Sequence, residues 1–274
     1  MLIMSPTLTI NGEPAQAADL RLLLTNNYGH FTAMRVEHGG VRGLDLHLQR
    51  LALGTRALFD SELDLAQVRL WLRQIVGSEQ RVQSLRINVF SRHFDRAHPA
   101  AAVAPDVLIS VAAAPARSDH TPLRLKSFRY ARELPHVKHV GTFPLFHYRA
   151  LAQRAGFDDA LFIAADSLIA EASVWNIGFV ENAGDATRIV WPRAPQLDGI
   201  GMRLLQAGAA KLGIASTSEP VPLAAISRYQ AAFVTNANTV ARAVASIDDT
   251  PFVHDEPLMN LLQRCHDANA VETL

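Results

Sequence analysis

Apolar and polar positions change period several times along this chain. In FTAMRVEHGGVRG, residues 31–43, two extended runs flank His38-Gly39-Gly40, which predicts a hairpin with its turn at those three residues. In the following LHLQRLALGTRALF, Leu48, Leu51, Leu58 and Phe59 fall near helical spacing, with Asp45 placed to cap the helix. SELDLAQVRLWLRQIVG predicts a second helix ending near Gly77, and LRINVFSR and APDVLISVAAAP read as half-buried to buried strands. The small, polar, proline-bearing run AAAPARSDHTP then predicts a linker. This division gives an N-terminal α/β domain over 1–113, a linker over 114–122 and a C-terminal domain over 123–274.

The second half opens with a strand in RLKSFRYAR, where Leu123 and Leu125 alternate with solvated Arg124 and Lys126. PLFHYRALAQRAGF predicts a helix through Gly156. ALFIA, a turn at Ala165-Asp166-Ser167, LIAEAS, WNIGFVENAG and RIVWP predict a meander of short strands. After the loop APQLDGIG, the run GMRLLQAGAAKLGI predicts a helix and AAFVTNANTVARAVASID a return to strand. The fold class expected is α+β, with antiparallel sheet in both halves.

Composition narrows the partners. The 274 residues are 49% hydrophobic with a formal net charge of zero, so no nucleic-acid or polybasic membrane surface is expected; small molecules or a second copy are. A single cysteine, Cys265, excludes an internal disulfide and fits a reducing compartment. The opening MLIMSPTLTING has neither the basic nor the long apolar segment of a signal peptide, and no apolar run approaches the roughly 20 residues that span a bilayer. A cytoplasmic protein is expected.

Candidate chemistry centres on lysine. Of three lysines, Lys126 belongs to a solvated strand face and Lys211 stands near a helix end, where a cation complements the dipole. Lys138, in ELPHVKHVG, has apolar neighbours and no polar stripe. Desolvation makes such an amine available for Schiff-base chemistry; a lysine snorkelling from a strand edge is the alternative. Glu171 lies within the apolar run LIAEASVWNIGFV, where a carboxylate is costly unless paired or turned to water at an edge. Gly199-Ile200-Gly201 precedes a helix whose N–H groups suit a phosphate or form an ordinary loop. Arg50 can supply a charge-assisted bond to the same anion, and Thr235, Asn236 and Asn238 in FVTNAN offer further donors or a turn.

Taken in order, FTAMRVEHGGVRGLDLHLQRL, VKHVG, GFDDALFIAADSLIAEASVWNIGFV, QLDGIGMRLL and FVTNAN resemble the class IV aminotransferase family over about residues 25–248. That family holds branched-chain and D-amino-acid aminotransferases, (R)-amine transaminases and 4-amino-4-deoxychorismate lyase. The resemblance implies pyridoxal 5′-phosphate as cofactor, no metal, and a two-domain fold with a smaller N-terminal α/β layer and a larger C-terminal barrel-like sheet domain that binds the cofactor. It implies a homodimer acting on an amino donor and a 2-oxo acid. Lys138 would form the Schiff base and shuttle the proton; Glu171 would hold the pyridine nitrogen protonated. Arg50, Ile200 and Gly201 would bind the phosphate, Asn176 would support the ring, and Asn236 and Ala237 fall near further phosphate contacts.

Three positions depart from the family pattern. Phe143 replaces a tyrosine common five residues after the lysine, a role for which His139, Thr142 and Tyr148 are the candidates, and Gly201 and Ala237 stand where threonines are frequent. Short pieces such as Phe31–Arg35 and Lys138-His139 are closer to the lyase branch, which eliminates pyruvate by the same lysine chemistry. The lost hydroxyls also motivate a third reading, a degenerate member without catalysis, against which Lys138 and Glu171 count. Tyr28, His30, Arg35, Arg86 and Trp175, with His93 and Arg193, are the candidates to line the substrate pocket.

Overall fold

In the computed structural model, which describes residues 7–25, 27–77, 82–114, 121–183, 186–254 and 256–274, the chain divides into two units. One holds 7–114 together with Val137–Gly141 and Val271–Leu274; the other holds 121–136 and Thr142–Ala270. The lysine segment and the end of the chain thus belong with the first unit. Most of the expected linker, 115–120, lies outside the described residues.

The first unit runs β1 (Thr7–Ile10), β2 (Glu13–Pro14), α1 (Ala17–Thr25), β3 (His30–Val36), β4 (Gly40–Arg42), α2 (Leu44–Phe59), α3 (Leu65–Val76), β5 (Gln83–Phe90) and β6 (Asp106–Ala113). Five strands form one antiparallel sheet in the order β2-β1-β6-β5-β3. Alternation sends Met34, Leu85, Ile87 and Ile109 into one core with Leu48, Leu51 and Leu72 of the two helices, while Phe31, Arg35 and Arg86 take the opposite parity. The hairpin turn lies at His38-Gly39, whose φ values of 51° and 73° are those a two-residue turn with right-handed twist requires. The expected cap at Asp45 is corrected: Gly43, at φ 70°, is the N-cap of α2. Asp45 falls inside the first turn, where its charge complements the dipole. Asp64 caps α3 by accepting from Gln67 N at 2.9 Å. The last strand, Val271–Thr273, pairs with β4, so the chain end holds the hairpin arm.

The second unit runs β7 (Leu123–Arg129), α4 (Phe143–Arg154), β8 (Asp159–Ile163), β9 (Ile169–Ala172), β10 (Trp175–Ala183), β11 (Ala186–Pro192), α5 (Ile200–Lys211), β12 (Ala215–Glu219), a 3-10 turn at Leu223–Arg228, β13 (Ala231–Thr235), β14 (Arg242–Ile247), β15 (Thr250–Pro251) and α6 (Glu256–Asp267). Six strands close on themselves in the order β10-β13-β14-β7-β8-β9, because β9 also pairs with β10; β11 and β12 extend the sheet beyond β10. The β14–β7 and β7–β8 pairs are parallel. Closure removes edges and buries Leu125, Leu161, Ile177, Phe179 and Val234 in one cluster. Helices α5 and α6 pack so closely that a Cβ at Gly208 would stand 1.7 Å from the Cys265 carbonyl oxygen. Lys211 does more than face the dipole: its Nζ donates to Ala268 O and Asn269 Oδ1, tying α5 to the end of α6. The molecule is an α+β fold with a closed, barrel-like sheet. No helix among the described residues is long and apolar enough to cross a membrane.

Candidate cofactor site

In the first unit, Lys138 is carried on an extended segment laid against the start of β3. Phe31 N donates to Lys138 O and Val140 N donates to Gly29 O, each at 2.9 Å, with His30 and His139 forming the bridge between them. Val137 is buried, and the half-buried Lys138 places its Nζ 4.9 Å from the centroid of the Phe31 ring. The Arg86 guanidinium lies 3.6 Å over the same ring and donates from Nε to Asn88 Oδ1 at 2.8 Å. A lysine amine and a guanidinium thus share one aromatic platform, as cations do on a ring face.

Arg50 is buried on α2 and donates from Nη2 to Thr32 Oγ1. An arginine can only donate, so the Thr32 oxygen accepts from it and also lies 2.6 Å from His47 Nδ1, joining the three side chains in one buried cluster. Burial holds the His47 pKa well below the usual histidine value, and the charges of Arg50 and Lys138 push it further down. His30, bonded through Nε2 to Thr55 Oγ1 at 3.1 Å, is lowered to about 4 by burial and then by Arg50.

In the second unit, register aligns three polar residues on neighbouring strands. Glu171 on β9 faces Asn176 on β10, and Asn176 faces Thr235 on β13. All three are buried. Glu171 accepts from Arg132 Nε at 2.6 Å, an ion pair within the unit's interior that meets the requirement for a partner. Asn176 Nδ2 donates to Leu197 O at 2.8 Å and to Gln196 Oε1 at 3.1 Å, bracing the loop that opens α5. Two positions there have no room for a side chain. A Cβ at Gly199 would meet Asn176 Oδ1 at 1.8 Å, and one at Gly201 would meet Asn236 O at 2.6 Å and Thr235 Oγ1 at 2.7 Å. The departure at position 201 thus has a steric reason: the Thr235 hydroxyl and the Asn236 carbonyl occupy the space a threonine there would need. Ile200 and Gly201 begin α5, with Gly199 as an N-cap that makes no side-chain bond.

The other predicted residues have the following surroundings. Asn236 Oδ1 accepts from the backbone N–H of Asn238 and Thr239 at 2.9 and 3.0 Å, forming the turn that holds half-buried Ala237. Tyr28 stacks on Phe94 and meets Phe59 edge-on, and Arg35 pairs with Glu37. His30 is interior, and the Trp175 indole donates to Asp159. Phe143 is 77% exposed and stacked on His147, while Tyr148 belongs to an aromatic cluster with Phe128, Tyr130 and Phe162. Arg132 and Asp159 were absent from the predicted set. Arg132 lies in RYARELPH, where nothing in local spacing marks it as the partner of a carboxylate 39 positions later. Among the described residues, no three His, Cys, Asp or Glu side chains form a group that could hold a metal ion.

Residues 29–247 match the family Amino-transferase class IV. The chain belongs to the class IV aminotransferases. It is accordingly a pyridoxal-phosphate-dependent enzyme of that family. Solved structures of the same fold include a hypothetical aminotransferase from Mycobacterium tuberculosis in its PLP-bound form, 19% identical, with a TM-score of 0.78 over 96% of this chain and 98% of that one. A branched-chain aminotransferase from Thermoproteus uzoniensis, solved with norvaline, is 15% identical with a TM-score of 0.83 over 95% and 93%. A fold IV transaminase from Curtobacterium pusillum is 17% identical with a TM-score of 0.78 over 94% and 97%. No curated protein matches the sequence.

Proposed function

We propose that this protein moves an amino group from an amino acid or amine to a 2-oxo acid, with Lys138 as the catalytic residue. The observation that carries the reading is the buried Glu171–Asn176–Thr235 row, which runs from the Arg132 ion pair to the start of α5, where Gly199 and Gly201 flank Ile200. Its donor set fits pyridoxal phosphate: a carboxylate for the ring nitrogen at one end, and at the other the first N–H groups of a helix with glycine on both sides. When bound, the cofactor supplies an electron sink that makes a bond at the substrate α-carbon labile. Lys138 would hold it and would take and return the proton at that carbon. Glu171 would accept a hydrogen bond from the ring nitrogen. Arg50, the amides of Ile200 and Gly201, and the Thr235 hydroxyl would hold the phosphate, with Asn236 and Ala237 shaping the loop beside it. Arg86, stacked on the ring that also meets Lys138, binds a substrate carboxylate. The Mycobacterium tuberculosis protein has also been solved with alpha-ketoglutarate and PMP bound, which supports a 2-oxo acid as acceptor.

Absorption and fluorescence titration with pyridoxal phosphate test these assignments. Wild type is expected to develop a visible band that Lys138→Ala lacks, and Glu171→Gln to weaken binding and alter the band's pH dependence. A Lys138→Ala variant with an unchanged band would contradict the reading. A lysine-dependent band that no amino donor bleaches, together with pyruvate release from aminodeoxychorismate, would replace transamination by the lyase reaction.

A further inference from the structure

Asp159 opens β8 with its side chain fully buried, and none of the cofactor contacts proposed above uses it. Four donors converge on its two oxygens. Oδ1 accepts from Ala160 N at 2.7 Å and Ser173 Oγ at 2.5 Å; Oδ2 accepts from Trp175 Nε1 at 3.1 Å and faces Arg149 Nε of α4 at 3.7 Å. Ser173 and Val174 form the two-residue turn between β9 and β10, since Ala172 pairs with Trp175 and the next pair is Glu171 with Asn176. One carboxylate therefore grips both sides of the turn immediately beyond the Glu171–Asn176 pair. Two further bonds fix the same turn: Ser173 N donates to Ala160 O at 3.1 Å, and Asn236 Nδ2 donates to Val174 O at 3.4 Å.

We propose that Asp159 is a positioning residue that clamps the β9–β10 turn and thereby orients Glu171 and Asn176 toward the cofactor. The proposal rests on the reading that Glu171 meets the ring nitrogen. An amide cannot replace this carboxylate. In Asp159→Asn, the NH₂ group would face either the Ala160 N–H or the Trp175 N–H and Arg149, and each of these can only donate. Either the buried Ala160 N–H or the part-buried Trp175 indole N–H loses its partner, so the turn is expected to shift.

The test is a double-mutant cycle between Asp159 and Glu171, read as pyridoxal phosphate affinity and as the pH dependence of the bound cofactor's absorption band. Asp159→Asn is expected to weaken binding by about tenfold or more and to displace the band's pH midpoint. In a Glu171→Gln background it is expected to add nothing, because it acts through Glu171. Unchanged affinity and midpoint in Asp159→Asn, or losses that multiply in the double variant, would overturn the proposal while leaving the Glu171 reading intact. A Glu171→Gln variant that binds and titrates like wild type would overturn both. If Asp159→Asn does not fold, Trp175→Phe removes one donor from Oδ2 and is expected to show a smaller loss, again absent from the Glu171→Gln background. Ile189→Ala, in a separate core cluster, controls for lost stability and is expected to leave affinity and midpoint unchanged.

Discussion

Arg132 and Glu171 face each other at 2.6 Å with both side chains almost wholly buried, so removing Arg132 takes a charge-assisted hydrogen bond from a buried carboxylate. Arg132→Met is expected to cost about 3–5 kcal/mol in urea unfolding of the apoprotein, and adding Glu171→Gln to recover part of it. His30 supplies a second residue-scale prediction. In the unfolded chain it binds a proton below 6.5, but in the fold only below about 4, so the unfolded state takes up protons first as pH falls. Stability is then fully present above pH 6.5 and declines by about 3 kcal/mol towards pH 4, with the buried His47 adding in the same direction. Urea midpoints measured across that range should show the decline, and His30→Asn should flatten part of it. At this scale the burial of Glu171 and the half-burial of Lys138 were legible because each residue breaks the pattern around it. Arg132 was not, since an arginine in a polar stretch is unremarkable until the fold brings a carboxylate to it.

Helices α3, α4 and α5 and the strands β5, β6 and β13 follow from period and capping, signals contained within each segment. The cap of α2 was misread because Gly43 enters the helix through a left-handed φ, leaving Asp45 inside the first turn. Strand β12 was missed because its sequence, ASTSE, has no apolar alternation; it is recruited by parallel pairing with β11. Helix α6 was also missed, although its apolar residues Leu258, Leu262 and Cys265 recur at helical spacing. The contact between α5 and α6 admits only glycine at 208, and Gly208→Ala is expected to destabilise by about 3 kcal/mol, the upper end of overpacking costs, in thermal or urea unfolding. A change below about 0.5 kcal/mol, the range of a neutral surface substitution, would show the helices free to separate.

The closed sheet depends on pairings that join distant segments: Val244 lies beside Leu123, and β7 runs parallel to β8 across α4. No local pattern predicts them, nor the pairing of β10 with β13 that, together with the β9–β10 turn, brings Glu171, Asn176 and Thr235 into line. The ordered motifs carried the family, whereas the register that aligns these three residues is a property of the whole sheet. The homodimer expected for this chain is tested by light scattering, which should return twice the chain's 30.0 kDa; a monomeric mass would contradict it.

The central claim is amino-group transfer dependent on Lys138. Wild type and Lys138→Ala, each supplied with pyridoxal phosphate, a panel of ¹⁵N-labelled amino donors and a 2-oxo acid, would be followed by mass spectrometry of the products. The label is expected to move from at least one donor into the amino acid formed from the 2-oxo acid, and only in wild type. Label that stays on every donor, or that moves equally well in the variant, would contradict it.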